Sequence, residues 1–250
     1  MFDHEWFCGQ AEAEIARMAS IADGADPASL VPTCPQWSLA RLVKHTGVVH
    51  RWATHIVSAR AGTRVDPRDV EAGLPALETA YPGWLADGAA PLIAALRSAG
   101  PDTAVWAWGT EQRSGWWARR MLHETTVHRA DAEFALGAWP DIDPAVAADG
   151  IDEFLANLPV ARRPRENLGS LPAGKSLHLH ATDSDGEWLI RFADGTVTWS
   201  RGHEKATAAV RGPVAALLLF TYGRVHFIAE PLTVFGDSSV LEAWQQKTAL

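Results

Sequence analysis

The stretch "HETTVH", His123 to His128, carries three metal-ligating side chains in the order of the H-E-x-x-H motif, with one residue too many. In that motif two histidines stand one turn apart on a helix and the glutamate between them acts as a base. Five positions separate the histidines here, which turns them about 140° apart around a helix axis, so His123 and His128 cannot share an ion. The pair that shares a face is Glu124 and His128. The added residue moves the glutamate from base to candidate ligand, and a third ligand must converge from another element.

The segment "LARLVKHTGVVHRWATHIVSA" offers His45, His50 and His55. Read as a helix, it puts His45 on one stripe with Arg41, Val48, Val49 and Trp52, while His50 and His55 point elsewhere. A stripe mixing Arg41, His45 and Trp52 faces a polar interior rather than a sealed core. Spacing alone leaves a second reading open: Glu124 can pair with Arg120 one turn earlier or with His128 one turn later, as solvated helix pairs do.

The elements that must hold these residues follow from periodicity. Helical spacing predicts a helix from Glu5 to Ile21, closed by "GADP", and a second of about twenty residues after the "CPQWS" entrance, capped by Ser38. A polar connection, Arg60 to Leu74, precedes a third helix from about Leu77 to Ser98, with Pro82 and Pro91 expected to kink or divide it. The aromatic-rich loop "GPDTAVWAWGTEQRSG" leads to a fourth helix after Ser114 that carries the candidate site and stops at Gly137, and a shorter one covers Pro144 to Asn157. Helix number and length predict an antiparallel four-helix bundle.

After "PVARRPRENLGSLPAG" the period falls to two. "SLHLHATD", "GEWLIRFAD", "GTVTWSRG" and "KATAAVRG" read as hairpin strands, "GPVAALLLFTYG" as a buried helix, "VHFIAE" as a strand or extended edge, and "GDSSVLEAWQQ" as a capped terminal helix. The expected class is two-domain α+β: residues 1–165 as the helical, metal-binding bundle and 166–250 as a small α+β domain, divided near Arg165 where Pro, Arg and Gly accumulate.

Composition narrows the function. A chain of 250 residues, 47% hydrophobic, has ample core material, and a net charge of -8 argues against a nucleic-acid partner, whose phosphates demand a basic face. No apolar run approaches the roughly 20 residues of a membrane span. The opening "MFDHEWF" is acidic and aromatic rather than a basic-then-apolar leader, and Cys8 and Cys34, the two cysteines, suit a reducing compartment, so a soluble cytoplasmic protein is expected. No P-loop, dinucleotide fingerprint or nucleophile elbow occurs. Cys34, before a proline at a helix entrance, reads as packing rather than as a nucleophile, and Cys8 as a buried small residue. His178 and His180 of "HLH" share a strand face and could bind metal, but with no third partner in view they read as a polar face.

Two stretches in combination, "CPQWSLARLVKHTGVVHRWA" and "RRMLHETTVHRADAEFALG", resemble the mycothiol-dependent maleylpyruvate isomerase family, whose N-terminal part is a DinB-like four-helix bundle. "AVRGPVAALLLFTYGR" and "FGDSSVLEAW" are similar, more loosely, to its sterol-carrier-like second domain. The resemblance implies a divalent metal, usually zinc, held by a histidine of the second helix and a Glu-x-x-x-His pair of the fourth. Here these are His45, eight residues after the tryptophan of "PQW", with Glu124 and His128. It also implies an arginine of the second domain that reaches the metal cleft and assists catalysis, for which Arg224 is the candidate; the alternative role for Arg224 is a charge satisfying carbonyls at a helix end. Arg129 and Asp131 are expected to orient ligands or tie helices together.

Three protein ligands leave a fourth position for water or substrate, and two imidazoles with one carboxylate suit zinc, with nickel, manganese and iron also compatible. The expected function is a metal- and mycothiol-dependent isomerase, or a thiol S-transferase, acting on a small electrophile, with the Trp106 and Trp108 loop as a wall of a cleft between the domains. Partners are then a small thiol and a small electrophile. The alternatives are a non-catalytic metal- or ligand-binding protein and a metal-dependent hydrolase.

Overall fold

The computed structural model describes residues 2–161 and 168–248, in two compact units, Met1–Asp141 and Ile142–Leu250. The first is built on α1 (His4–Ala22), α2 (Leu39–Ser58), α3 (Tyr81–Asp87), α4 (Ala89–Ala99) and α5 (Ser114–Ala135). α5 packs against α1, α2 and α4, and its residues from Trp116 to Ala132 are buried nearly all round. A helix sunk in this way must satisfy its polar side chains internally. Thr125 and Thr126 donate back to the carbonyls of Met121 (2.6 Å) and Leu122 (2.9 Å). Arg129, fully buried, donates to Glu14 of α1 and to Glu133, both at 2.5 Å, and to the Asp141 carbonyl at 2.9 Å.

The predicted third helix is divided, but at Gly88 rather than at its prolines. Pro82 and Pro91 fall in the first turns of α3 and α4, where a missing N–H leaves no helical hydrogen bond unmade. Ser38 caps α2 as expected, its side chain accepting from Arg41 N, and so sets where the helix of His45 begins. Gly47 of α2 lies against the Trp84 indole of α3, which is also held by Arg51 stacked 3.9 Å from the ring centroid.

The second unit holds α6 (Pro144–Asn157), β1 (Ser176–Ala181), β2 (Glu187–Ala193), β3 (Thr196–Arg201), β4 (Ala208–Gly212), α7 (Val214–Thr221), β5 (Thr233–Gly236) and α8 (Ser238–Thr248). The sheet order is β3-β2-β1-β4-β5. The β1–β2 and β2–β3 pairs are hairpins as read from sequence, whereas β4 returns parallel to β1. Leu177, Leu179, Trp188, Ile190, Phe192, Val197 and Val210 are buried, and α7 and α8 pack on β1 and β4. "VHFIAE" is not a strand: residues 225–230 turn repeatedly, with Ala229 N donating to His226 O, and the edge strand comes later at β5. Val225 and Phe227 are buried from turns, and their alternation mimics a strand.

The unit boundary also differs from the expected one. Arg165 itself lies outside the described residues. α6, read from sequence as a fifth bundle helix, packs on α7 and is tied to the sheet by Asp152, which accepts from Trp188 Nε1 at 2.7 Å and from Arg201 Nη2 at 2.7 Å. Helical periodicity reports an element's type but not its neighbours.

The Gly47 contact generates a stability test. A Cβ there would stand 2.2 Å from a Trp84 ring carbon, so Gly47→Ala must displace the indole and is expected to destabilise the first unit by about 1–3 kcal/mol in denaturant unfolding. Unchanged stability would mean that α2 and α3 are not packed as described.

Candidate metal centre

α2 and α5 run antiparallel along one seam, fixed by three sets of contacts. His45 meets Glu124 and His128; His50 Nε2 meets Thr125 Oγ1 at 2.9 Å; and Trp52 meets Trp117, ring centroids 5.2 Å apart. Glu124 stands at the centre. Its Oε1 is 3.1 Å from His45 Nε2 and 3.4 Å from His128 Nε2, and its Oε2 accepts from Arg120 Nη2 at 3.2 Å. One ligand atom from each of His45, Glu124 and His128 lies within 4.8 Å of the others. The two readings left open by spacing therefore coexist, with Glu124 paired to Arg120 through one oxygen and facing both imidazoles through the other.

The surroundings fix these groups. Asp131 Oδ2 lies 2.9 Å from His128 Nδ1 and accepts a hydrogen bond from it, leaving Nε2 turned toward Glu124. Asp131 is fully buried and its Oδ1 accepts from Thr33 Oγ1 at 2.6 Å, while Cys34 Sγ lies 3.8 Å from Oδ2. Trp37, in the same loop, stacks on His128 (centroids 6.1 Å) and lies 4.9 Å from the His45 ring. Side-chain exposure rises from 10% at His128 through 21% at Glu124 to 37% at His45, so the cluster is open on the His45 side.

Of the other sequence candidates, Arg129 ties α5 to α1 and to the chain at Asp141, and makes none of its hydrogen bonds to the cluster. His123 is buried and is not one of the grouped ligands. His55 is exposed at the end of α2. Trp106 joins the Trp52–Trp117 cluster farther along the seam, and Trp108 packs on Trp116. Arg224, in the second unit, donates to the Tyr222 carbonyl at 3.0 Å and lines an open recess with His226, Glu242 and Gln245. That contact matches its helix-end role. Cys8 and Cys34 are not joined in a disulfide, and burial pushes the Cys8 thiol up to about 11, which leaves it an inert core group. Sequence reasoning missed Trp37 and Thr33 as parts of the site, whereas the Arg120–Glu124 pairing was among its readings. The only signal for the first was the position of "PQW" directly before the cap of α2.

No curated protein matches the sequence. Residues 8–133 match the mycothiol maleylpyruvate isomerase N-terminal domain, and residues 145–243 match the MDMPI C-terminal domain. Among solved structures, a mycothiol-dependent maleylpyruvate isomerase is 16% identical over 93% of both chains with a TM-score of 0.58. A histidine-to-alanine mutant of such an isomerase is 15% identical over 93% of both chains with a TM-score of 0.59. These likenesses extend the shared fold over both units. No helix among the described residues is long and apolar enough to cross a membrane.

The electrostatics of the seam predict a pH optimum. Burial holds His50 down at about 3, so it stays neutral while an unfolded chain takes up a proton below about 6.5; stability is lost as pH falls from there. Burial also pushes His128 down, but Asp131 and Glu124 outweigh it and raise it to about 9. The metal-free fold thus keeps a proton that the unfolded chain sheds above about 6.5, and stability is lost as pH rises toward 9. Burial pushes Glu124 up, yet His128, His45 and Arg120 hold it well below the carboxylate range, which steepens the loss below about 4.5. The chelator-treated protein should therefore melt highest near pH 6.5, as followed by the helical circular-dichroism signal. Saturating zinc should flatten the alkaline limb, because ligation replaces the His128 proton. A metal-free melting temperature that climbs from pH 6.5 to 9 would contradict this arrangement.

Proposed function

Because the chain belongs to the mycothiol-dependent maleylpyruvate isomerase family, we propose that it catalyses a thiol-dependent reaction of a small electrophile, cis–trans isomerisation first and thiol transfer second, at a metal held by His45, Glu124 and His128. The observation that carries this reading is the convergence of these three side chains from α2 and α5 in a partly open seam. The donor set fits a divalent ion. Two imidazoles and one carboxylate suit zinc, and the Asp131 contact to His128 Nδ1 is the support that metal-ligating histidines require. A divalent ion there supplies Lewis acidity that lowers the pKa of a thiol and favours its reactive thiolate.

The chain's own residues contribute orientation and shielding. Asp131, steadied by Thr33, holds the His128 ring and its proton on Nδ1. Arg120 occupies one Glu124 oxygen and leaves the other turned toward the histidines. Trp37 lies over the imidazoles, with Arg41 stacked 5.1 Å from its ring centroid, so one side of the site is walled by a flat ring while the exposed edge of His45 admits a ligand. Cysteines not joined in a disulfide, and the reducing compartment expected from them, suit a low-molecular-weight thiol partner. Arg224 is proposed to assist in turnover.

Metal content and mycothiol-dependent turnover of maleylpyruvate, measured on four purified variants, test the reading. His45→Ala and His128→Ala should each lose about one metal equivalent and turnover with it, because two ligands seldom hold a divalent ion. Glu124→Gln should retain the fold and bind metal weakly. His123→Ala should keep both metal and turnover, at an ordinary cost in stability of about 1 kcal/mol. Metal retained by His128→Ala but lost by His123→Ala would require the site to be redrawn. Metal binding in the unaltered protein with no consumption of thiol would favour a binding protein or a hydrolase.

A further inference from the structure

The second unit brings together a cluster that the sequence left incomplete. His178 and His180 stand two apart on β1, on the face opposite buried Leu177 and Leu179. The strand β2 places Glu187 directly across from His180 in the antiparallel register. His203 arrives from the loop after β3, where Gly202, at φ 129°, takes a conformation that side-chain-bearing residues rarely adopt and donates its N–H to Glu187 O at 3.1 Å. The third partner missing from "HLH" is thus a residue of the next strand, and a fourth comes from the loop that follows the strand after that.

All three imidazoles converge on one carboxylate. His180 Nδ1 lies 3.0 Å from Glu187 Oε1, His203 Nδ1 lies 2.9 Å from Oε2, and His178 Nε2 lies 3.5 Å from Oε2. Ligand atoms of the four residues all lie within 4.8 Å of one another, and the ring centroids are 5.2–5.9 Å apart. The His178 side chain is 6% exposed, and its Nε2 points into the cluster with no hydrogen-bond partner. A buried ring nitrogen without a partner requires a physical explanation, and an ion at the common point provides one. Four donors around an ion with 2.0–2.1 Å bonds stand about 3.3 Å apart, which rotations of these side chains can reach.

We propose that His178, His180, Glu187 and His203 form a second metal site, separate from the bundle site, that takes a divalent transition-metal ion, zinc by ligand type. Four protein ligands close a tetrahedral shell, so the ion's role is structural: it pins the loop after β3 to β1 and β2. His203, 73% exposed in its side chain, is the ligand through which the ion enters and leaves.

The test uses the full chain, stripped of metal and titrated with zinc or with cobalt(II), whose visible absorption is intense when four-coordinate. The unaltered protein should bind about two equivalents and His203→Ala about one fewer. In a His45→Ala/His128→Ala background, about one tight equivalent should remain, and adding His203→Ala or Glu187→Gln should abolish it. His203 is exposed, so its replacement leaves the fold in place and keeps the comparison with the unaltered chain valid if the double background does not fold. Zinc should also raise the melting temperature of the background variant, or of the unaltered chain, more than that of its His203→Ala counterpart. The proposal is overturned if the background variant folds but binds no zinc, or if binding is the same with and without His203→Ala. Failure of the bundle site alone would leave the background and unaltered chains with the same single equivalent.

Discussion

Placing the Glu124 carboxylate between two helices is tolerable only because cationic and hydrogen-bonding groups surround it, and much of the first unit is arranged to supply them. Arg120 comes from the same helix one turn earlier, His128 from one turn later, and His45 from α2. Each of these depends on another contact. His128 is held by Asp131, which is held by Thr33 in the loop before α2. His45 is positioned by where Ser38 starts α2 and by how closely Gly47 lets α3 approach. The loop of residues 33–38 therefore serves both histidines, through the Thr33 hydroxyl, the Trp37 ring and the Ser38 cap.

This constraint explains the composition of α5. A helix buried all round would ordinarily be apolar, yet "RRMLHETTVHRADAE" is dense in polar residues. The threonines bond back to their own helix, Thr125 accepts from neutral His50, and Arg129 is neutralised by Glu14 and Glu133. Buried polar networks carry a desolvation penalty that these hydrogen bonds offset in large part, with His50 Nδ1 left unbonded, and they fix one arrangement of the helices around the site.

The local part of this design was legible in the sequence. Glu124 and His128 follow from helical spacing, and the start of α2 from "CPQWS", because periodicity and caps act over a few residues. The choice of His45 over His50 followed from the polar character of its stripe, and the two indeed face different partners. Trp37 and Thr33 were not legible as site residues, since a loop has no period from which to project a direction. The break at Gly88 was misplaced because prolines read as breakers are harmless in a first turn. Long-range pairings were hidden for a different reason. The parallel β1–β4 match, the docking of α6 on α7, and the approach of Glu187 and His203 to "HLH" depend on which strands and helices become neighbours, which residue spacing within one element does not encode.

The two clusters use the same donor types, imidazole and carboxylate, on different scaffolds, and scaffold geometry separates what they can do. Helices α2 and α5 bring the three candidate donors together from two sides and leave the third side to Trp37 and to solvent at His45, so an ion held there would keep a coordination position open. A sheet presents side chains at alternate positions on one face and pairs them across strands. Two neighbouring strands and a loop can then bring four donors to one point, as His178, His180, Glu187 and His203 are brought together here. An ion with an open position can polarise a ligand, whereas one enclosed by four protein donors can only hold the chain together. On coordination grounds, the helical seam is the cluster suited to the proposed thiol chemistry, and the histidines of the sheet, though more numerous, are suited to anchoring a loop.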